Sequence, residues 1–189
     1  VPAAELAKHP ALRHDNPALI RGTDVQWREM REDDLAGVLR LADRVHPELP
    51  ESFDVIAEKR RLYPAGCRVL EAATGGGILG YAISHPIREN SPPALDSFLG
   101  GIAPGAEQYY IHDVVLDPQL RGGGHARHVI SALLDHAADF RSTGLVSVYG
   151  TAEFWARFGF APAEGVSAQK LAAYGADAVW MRRETPAGG

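Results

Sequence analysis

The stretch Tyr109-Tyr110-Ile111-His112-Asp113-Val114-Val115-Leu116-Asp117-Pro118-Gln119-Leu120-Arg121-Gly122-Gly123-Gly124-His125-Ala126 sets the architecture of the chain. Its first part, Tyr109 to Leu116, is apolar or aromatic at most positions and reads as a buried strand. Asp117-Pro118-Gln119-Leu120 turns the chain out of that strand. Ala126, Val129, Ile130, Leu133, Leu134 and Ala137 then recur at helical spacing and make one apolar face. A strand, a glycine-rich turn and a helix N-terminus thus follow one another directly. First-turn amides of a helix lack intrahelical acceptors, and the dipole adds partial positive charge there. Glycines have no Cβ to hold an anion away from those amides. The local physics points to a phosphate; a tight turn ahead of a core helix is the plainer alternative.

The kind of phosphate is narrowed by what is missing. A phosphate-binding loop of the nucleotide-hydrolase type needs Gly-Lys-Ser or Gly-Lys-Thr, and neither occurs here. A dinucleotide site wants an acidic residue about twenty positions after the loop, where this chain has Arg141 and Gly144. The pattern that fits is arginine or glutamine, two residues, glycine, one residue, then glycine or alanine, as in Arg121-Gly122-Gly123-Gly124-His125-Ala126. A second motif lies downstream in Thr151-Ala152-Glu153-Phe154-Trp155-Ala156-Arg157-Phe158-Gly159-Phe160, an aromatic pair, three residues and Gly-Phe. It follows a strand-like run, Leu145 to Tyr149. On these two motifs, in this order, the chain resembles the GCN5-related N-acetyltransferase (GNAT) superfamily over roughly Thr23 to Arg183. The resemblance implies an α/β fold with a mixed, mostly antiparallel sheet, a central parallel strand pair and flanking helices. It also implies acetyl-coenzyme A (acetyl-CoA) as cosubstrate, with its pyrophosphate on the glycine loop.

Composition bounds the rest. At 189 residues one domain is expected, with a core large enough to need no staples. Residues 23–183 are read as that domain, 1–22 as an arm carrying Pro2, Pro10 and Pro17, and 184–189 as a tail. No apolar run approaches membrane-spanning length, so no membrane partner is expected. Val1-Pro2-Ala3-Ala4-Glu5 lacks the blocks of a signal peptide, and Cys67 is a single cysteine; both fit a cytoplasmic protein. A net charge of −5 disfavours nucleic acid and welcomes a cationic substrate. The oligomeric state stays open, a homodimer included.

Taken in order, Asp24 to Met30 reads as a strand, and Leu35, Val38, Leu39, Ala42 and Val45 as the buried face of a helix. Ser52 reads as the cap of a second helix with Phe53, Ile56 and Ala57 inside. In the resembled family this helix-loop-helix borders the acceptor site. Glu48 and Glu51 of its loop either attract an amine or are solvated charges. Cys67–Ala73 and Ile78–Ser84 read as strands, with Thr74-Gly75-Gly76-Gly77 as a hairpin turn and no phosphate site. His85 to Gln108 holds Pro86, Pro92, Pro93 and Pro104 with an apolar patch of Leu95, Phe98, Leu99 and Ile102. A connection of that length is functional or disordered; the patch predicts a short docking helix and a lid or wall over the acceptor pocket. Thr151 is a natural cap for a helix to Phe158, and Ala178 to Arg183 reads as the last strand.

The chemistry follows from the resemblance. Backbone groups of Val114, Val115 and Leu116 are expected to bond the pantetheine. Gly122, Gly123, Gly124, His125, Ala126 and Arg127 are expected to hold the pyrophosphate. Arg121 and Arg127 are the side-chain supplements, and Arg127 fits an exposed helix position equally well. An amine with a pKa of about 10 is mostly protonated at pH 7 and must lose a proton before it attacks. His112 is the candidate for that task; a structural strand histidine is its alternative. The run from His112 to Arg121 resembles the arylalkylamine-type N-acetyltransferases, whose neighbouring strand histidine is Tyr110 here. Asp113 points to the opposite face unless a bulge intervenes. Trp155 stands at the cofactor where the family has its proton-donating tyrosine, and an indole N–H supplies no proton at neutral pH. Tyr149 is the candidate replacement, or a rim aromatic. His125, His128 and His136 share a helix, but His128 and His136 lie on different faces of it and no cysteine joins them, so no metal site is expected. The expected activity is acetyl transfer from acetyl-CoA to a small-molecule primary amine by direct attack on the thioester. A non-catalytic acyl-CoA sensor and acetylation of a protein or peptide amine are the alternatives.

Overall fold

The computed structural model describes residues 24–73 and 75–186. The expected arm, 1–22, lies outside them. Seven strands form one sheet in the order β1-β2-β3-β4-β5-β7-β6. β1 (Val25–Glu29), β2 (Arg68–Ala72), β3 (Ile78–Ile87) and β4 (Gln108–Leu116) run as an antiparallel meander. β5 (Ser142–Ser147) lies parallel to β4, β7 (Val179–Glu184) antiparallel to β5, and the short β6 (Ala161–Pro162) closes that edge. The helices are α1 (Leu35–Val45), α2 (Phe53–Leu62), α3 (His125–His136), α4 (Ala152–Ala156) and α5 (Ala168–Ala172). This is the expected α/β class: a mostly antiparallel sheet with one parallel pair, flanked by helices.

Two cores sandwich the sheet. On one face Leu35, Val38 and Leu41 of α1 and Ile56 of α2 pack on Val69, Tyr81, Ile83 and Val115. On the other, Val129, Ile130 and Leu133 of α3 pack on Ala82, Tyr109, Ile111, Leu145 and Met181. Alternation along β3 explains the split, since Tyr81 and Ile83 share one face and Ala82 the other. β4 breaks that alternation. Its partners on β3 slip between Ile83, opposite Asp113, and Ser84, opposite Ile111, so His112 is an extra residue in a β-bulge. Ile111 therefore faces α3 while Val115, four residues on, faces α1.

Several boundaries differ from expectation, each for a local reason. β3 runs to Ile87 through Pro86. β2 pairs with β3 only as far as Ala82, so the N–H that Pro86 lacks faces an open edge. No helix forms between Arg88 and Glu107. That segment is tied down by side chains instead: Glu58 accepts from the amides of Leu99 and Gly100 at 2.6 and 3.2 Å. The Tyr174 hydroxyl donates to the Pro93 carbonyl at 2.7 Å. Ser52 and Thr151 occupy N-cap positions without capping through their side chains. The Ser52 hydroxyl donates to Asp96, and that of Thr151 to the Val148 carbonyl. Phe53, expected inside, is 44% exposed, and α2 buries Val55, Ile56 and Lys59. β5 stops at Ser147 rather than Tyr149. α5 and β6 have no counterpart in the sequence reading.

Candidate active site

The site begins where the parallel pair ends. β4 and β5 pair at Gln108–Ser142, Tyr109–Thr143 and Tyr110–Gly144 and no further. Gly144 is required at the last of these, because a Cβ there would run into the Trp180 indole. Past it β4 stays with β3 to Leu116, and β5 stays with β7 to Ser147. The strands splay around a cleft enclosing about 160 Å³. β4 lines it with Ile111, His112, Asp113 and Val114, and the β5 side with Leu145, Val146, Val148 and Tyr149. His46, Leu49 and Glu51 of the α1–α2 loop close one end, with Leu95 and Tyr174; Thr151, Phe154 and Trp155 close the side of α4.

The N-terminus of α3 follows β4 in the chain through the glycine loop. Gly122 and Gly124 have left-handed φ of 83° and 81°, and a Cβ on either would meet nothing within 4 Å. The amides of Gly124, His125, Ala126 and Arg127 find no acceptor among the described residues. The Trp27 indole donates to the His125 carbonyl at 3.1 Å and pins the helix start to β1. The loop is thus an open cradle of N–H groups at the positive end of a twelve-residue helix. Arg121 is exposed beside it, and the Arg127 guanidinium lies 5.9 Å from the centre of the Phe158 ring. Val114 lines the cleft, whereas the Val115 side chain packs into the core under α1, leaving only its backbone for a ligand. Trp155 is 9% exposed and forms part of the wall.

The other end is polar and built by the bulge. His112 and Asp113 both face the α1–α2 loop, as a bulge on this strand brings about. His112 Nε2 is 2.6 Å from Glu51 Oε2, and Glu51 Oε1 accepts from Lys59 Nζ at 2.9 Å. Asp113 accepts from the Tyr81 hydroxyl at 2.5 Å and lies 3.5 Å from His46 Nε2. Loop histidine meets strand carboxylate, and loop carboxylate meets strand histidine. Burial opposes the Glu51 charge, but the charges and hydrogen bonds of His112 and Lys59 outweigh it and bring its pKa down to about 2. For His46, burial opposes the imidazolium, and the hydrogen bond and charge of Asp113 overcome it, so its pKa is raised. Behind His112, burial and the neighbouring His112 charge push His85 down to about 3.

Both expected catalytic residues border the cleft. The His112 side chain is 4% exposed, and its Nδ1 has no hydrogen-bond partner among the described residues. Tyr149 has φ 54°, rare for a bulky residue, and its ring stacks on His46 with centroids 5.3 Å apart and planes 3° apart. Burial, then the charges of Glu48, Asp113 and Asp177, raise its hydroxyl pKa. His46 is a neighbour that the sequence did not single out, and Glu51, expected only as a loop acid that attracts an amine or is solvated, is paired to His112. They lie 67 and 61 residues before Asp113 and His112, so no local spacing marks them. Among the described residues no group of three or more metal-ligating side chains forms, and no helix is long and apolar enough to cross a membrane.

A family model for the acetyltransferase (GNAT) family matches residues 26–160. The chain belongs to that family. No curated protein matches it. Solved structures share its fold. The GphF GNAT-like decarboxylase in complex with isobutyryl-CoA is similar at TM-score 0.68 and 15% identity, over 85% of this chain and 99% of that one. Naa50 from Arabidopsis thaliana, with a bisubstrate analogue CoA-Ac-MVNAL, reaches TM-score 0.63 at 13% identity, over 85% and 98%. N-acetylglutamate synthase from Neisseria gonorrhoeae, with coenzyme A and N-acetyl-glutamate, reaches 0.63 at 17%, over 87% of this chain and 36% of that one.

As a GNAT protein the chain is an acetyltransferase with acetyl-CoA as its cosubstrate. The residues present fit that group. The glycine cradle offers unclaimed amides and Cβ-free space to a pyrophosphate, and β4, freed from β5, turns one backbone edge to the cleft. Coenzyme A has been seen with an acyl chain, a peptide analogue and N-acetyl-glutamate in structures of this fold. The acceptor is therefore a question for the cleft's own chemistry.

Proposed function

We propose that the protein transfers the acetyl group of acetyl-CoA to the primary amine of a small molecule, by direct attack of the amine on the thioester. The observation that carries this is the Glu51–His112 pair in the cleft wall. The ionised Glu51 only accepts, so Nε2 of a neutral His112 carries the hydrogen and Nδ1 keeps its lone pair. That lone pair, buried in the cleft wall and without a hydrogen-bond partner among the described residues, is the base for the ammonium proton, which it reaches when the acceptor opens the wall around it. The backbones of Val114, Val115 and Leu116 take the pantetheine. Gly122, Gly123, Gly124, His125, Ala126 and Arg127 take the pyrophosphate with help from Arg121, and Trp155 flanks the thioester. Among the described residues no lysine or arginine lines the cleft, while Glu51 and Asp113 do, which favours an amine over a carboxylate-bearing acceptor. Leu49, Leu95 and Phe154 supply apolar contact.

The sulfur needs little help to leave, since a thiol pKa is about 8.5 by analogy with cysteine. Tyr149 returns the proton, its raised pKa keeping the hydroxyl protonated. We expect His112→Ala to cut turnover about 10² to 10³-fold at pH 7. Raising the pH partly restores it, because more of the amine is then already neutral. Tyr149→Phe costs less, about tenfold. pH–rate profiles of the three proteins with one good amine check this. A His112→Ala profile superimposable on the parent's removes His112 from the mechanism. Peptide N-termini are the second reading, on the likeness to Naa50; a panel of small amines and peptides, read by mass spectrometry, separates the two.

A further inference from the structure

We propose that Lys59 is a positioning residue for His112, acting through Glu51; this rests on the reading of His112 as the base. Lys59 sits on the inner face of α2 beside Val55 and Ile56 and is 0% exposed. A lysine taken wholly out of water is costly, and an apolar side chain would fill the same space at lower cost. Its direct side-chain partner is Glu51 Oε1, at 2.9 Å, and the other oxygen of that carboxylate meets His112 Nε2 at 2.6 Å. Ammonium, carboxylate and imidazole thus stand in a row that starts in the core and ends in the cleft wall.

Each link fixes the next. Burial opposes the Glu51 charge; His112 first and then the Lys59 ammonium, through charge and hydrogen bond, hold the carboxylate ionised. An ionised carboxylate has no proton to give, so the imidazole must donate to it. The hydrogen is then locked on Nε2 and the lone pair on Nδ1. The other groups around His112 are His85 and Tyr81 from β3, Tyr110 and Asp113 from β4, His46 from the end of α1, and Tyr174 after α5. Asp113 is engaged by Tyr81 and His46, His85 is neutral, and burial holds the Tyr81 and Tyr110 hydroxyls protonated. Glu51 and Lys59 are therefore the charges that set the state of His112.

Removing only the ammonium charge tests the link. Nitrogen-detected ring spectra of His112, assigned by their loss in His112→Gln, report tautomer and titration midpoint without any need for turnover. The parent should show the Nε2–H tautomer. Lys59→Met leaves Glu51 to hold a proton on His112, and the midpoint should rise by about one pH unit. Lys59→Arg keeps the charge and should return it toward the parent's value. The acid limb of kcat/KM should move with the midpoint. Where Lys59→Met does not fold, Lys59→Gln, which still donates to Oε1 without charge, should give the same rise. A folded Met or Gln variant whose His112 keeps the parent's midpoint and tautomer overturns the proposal. Absence of acetylation for every amine, with the midpoint shift present, sinks the assigned reaction and leaves the Lys59 link standing.

Discussion

Two runs of three glycines occur in this chain, Gly75–Gly77 and Gly122–Gly124, and they do different things. Gly75 and Gly124 are close to a matched pair. Their φ angles are 76° and 81°, and a Cβ at either would meet nothing within 4 Å. Any side chain suffers the same backbone strain at both. What differs is the element that follows. After Gly77 comes β3, which pairs into the ladders of β2 and β4. After Gly124 comes α3, whose first amides have no acceptor among the described residues. Glycine content makes a turn in both places; the helix behind it leaves unclaimed amides, what an anion site needs, in one.

The sharpest way to break this contrast is to put a carboxylate into each run. Gly124→Glu should lower coenzyme A affinity by at least about 100-fold, through charge repulsion and a filled cradle. Gly75→Glu should leave affinity unchanged, and calorimetry reads both. Equal losses would mean that affinity follows strain and not the helix start. A smaller effect is expected from Arg121→Ala, about five- to tenfold weaker binding that shrinks further as salt is raised. The smallest effects sharpen the comparison most. Gly124→Ala and Gly75→Ala should each cost about 1 kcal/mol of stability, seen as a fall of a few degrees in Tm. Only the first should also weaken coenzyme A binding, by no more than about threefold.

The same contrast marks what was legible in the sequence. Strand, loop and α3 could be read because their signals are local: an apolar run, glycines, then helical spacing. The hairpin at 74–77 was legible for the same reason. The bulge at His112 was not. Ile111, Val114 and Val115 are apolar whichever way they face, so the slipped alternation leaves no trace in the sequence. Without the bulge, Asp113 reads as turned away from the cleft. Glu51 was legible as a loop acid, but its pairing with His112 and the part of Lys59 were hidden by distance. Among the charges of α2, Lys59 looks like Arg60 or Arg61, and only the packing of α2 on β3 puts it inside. The segment between β3 and β4 was legible as unusual but misread as helical. Leu95, Phe98 and Leu99 recur at helical spacing, yet Asn90, Asp96, Gly100, Gly101 and Gly105 take left-handed backbone and no helix passes through them.

The three rungs between β4 and β5 also fix the order in which the site comes into being. β1 to β4 pair in chain order, with α1 and α2 between the first two, a short glycine-rich connection between β2 and β3, and the 88–107 segment between β3 and β4. That half already holds Lys59, Glu51, His112 and the bulge. The remaining strands meet it across Gln108, Tyr109 and Tyr110, with the Gln108 amide donating to the Ser142 hydroxyl at 3.0 Å inside the joint. A chain emerging from the ribosome is therefore expected to assemble the Lys59–Glu51–His112 row first and to acquire the cleft last, when residues 142–184 dock. Until that docking, the row has nothing to act on.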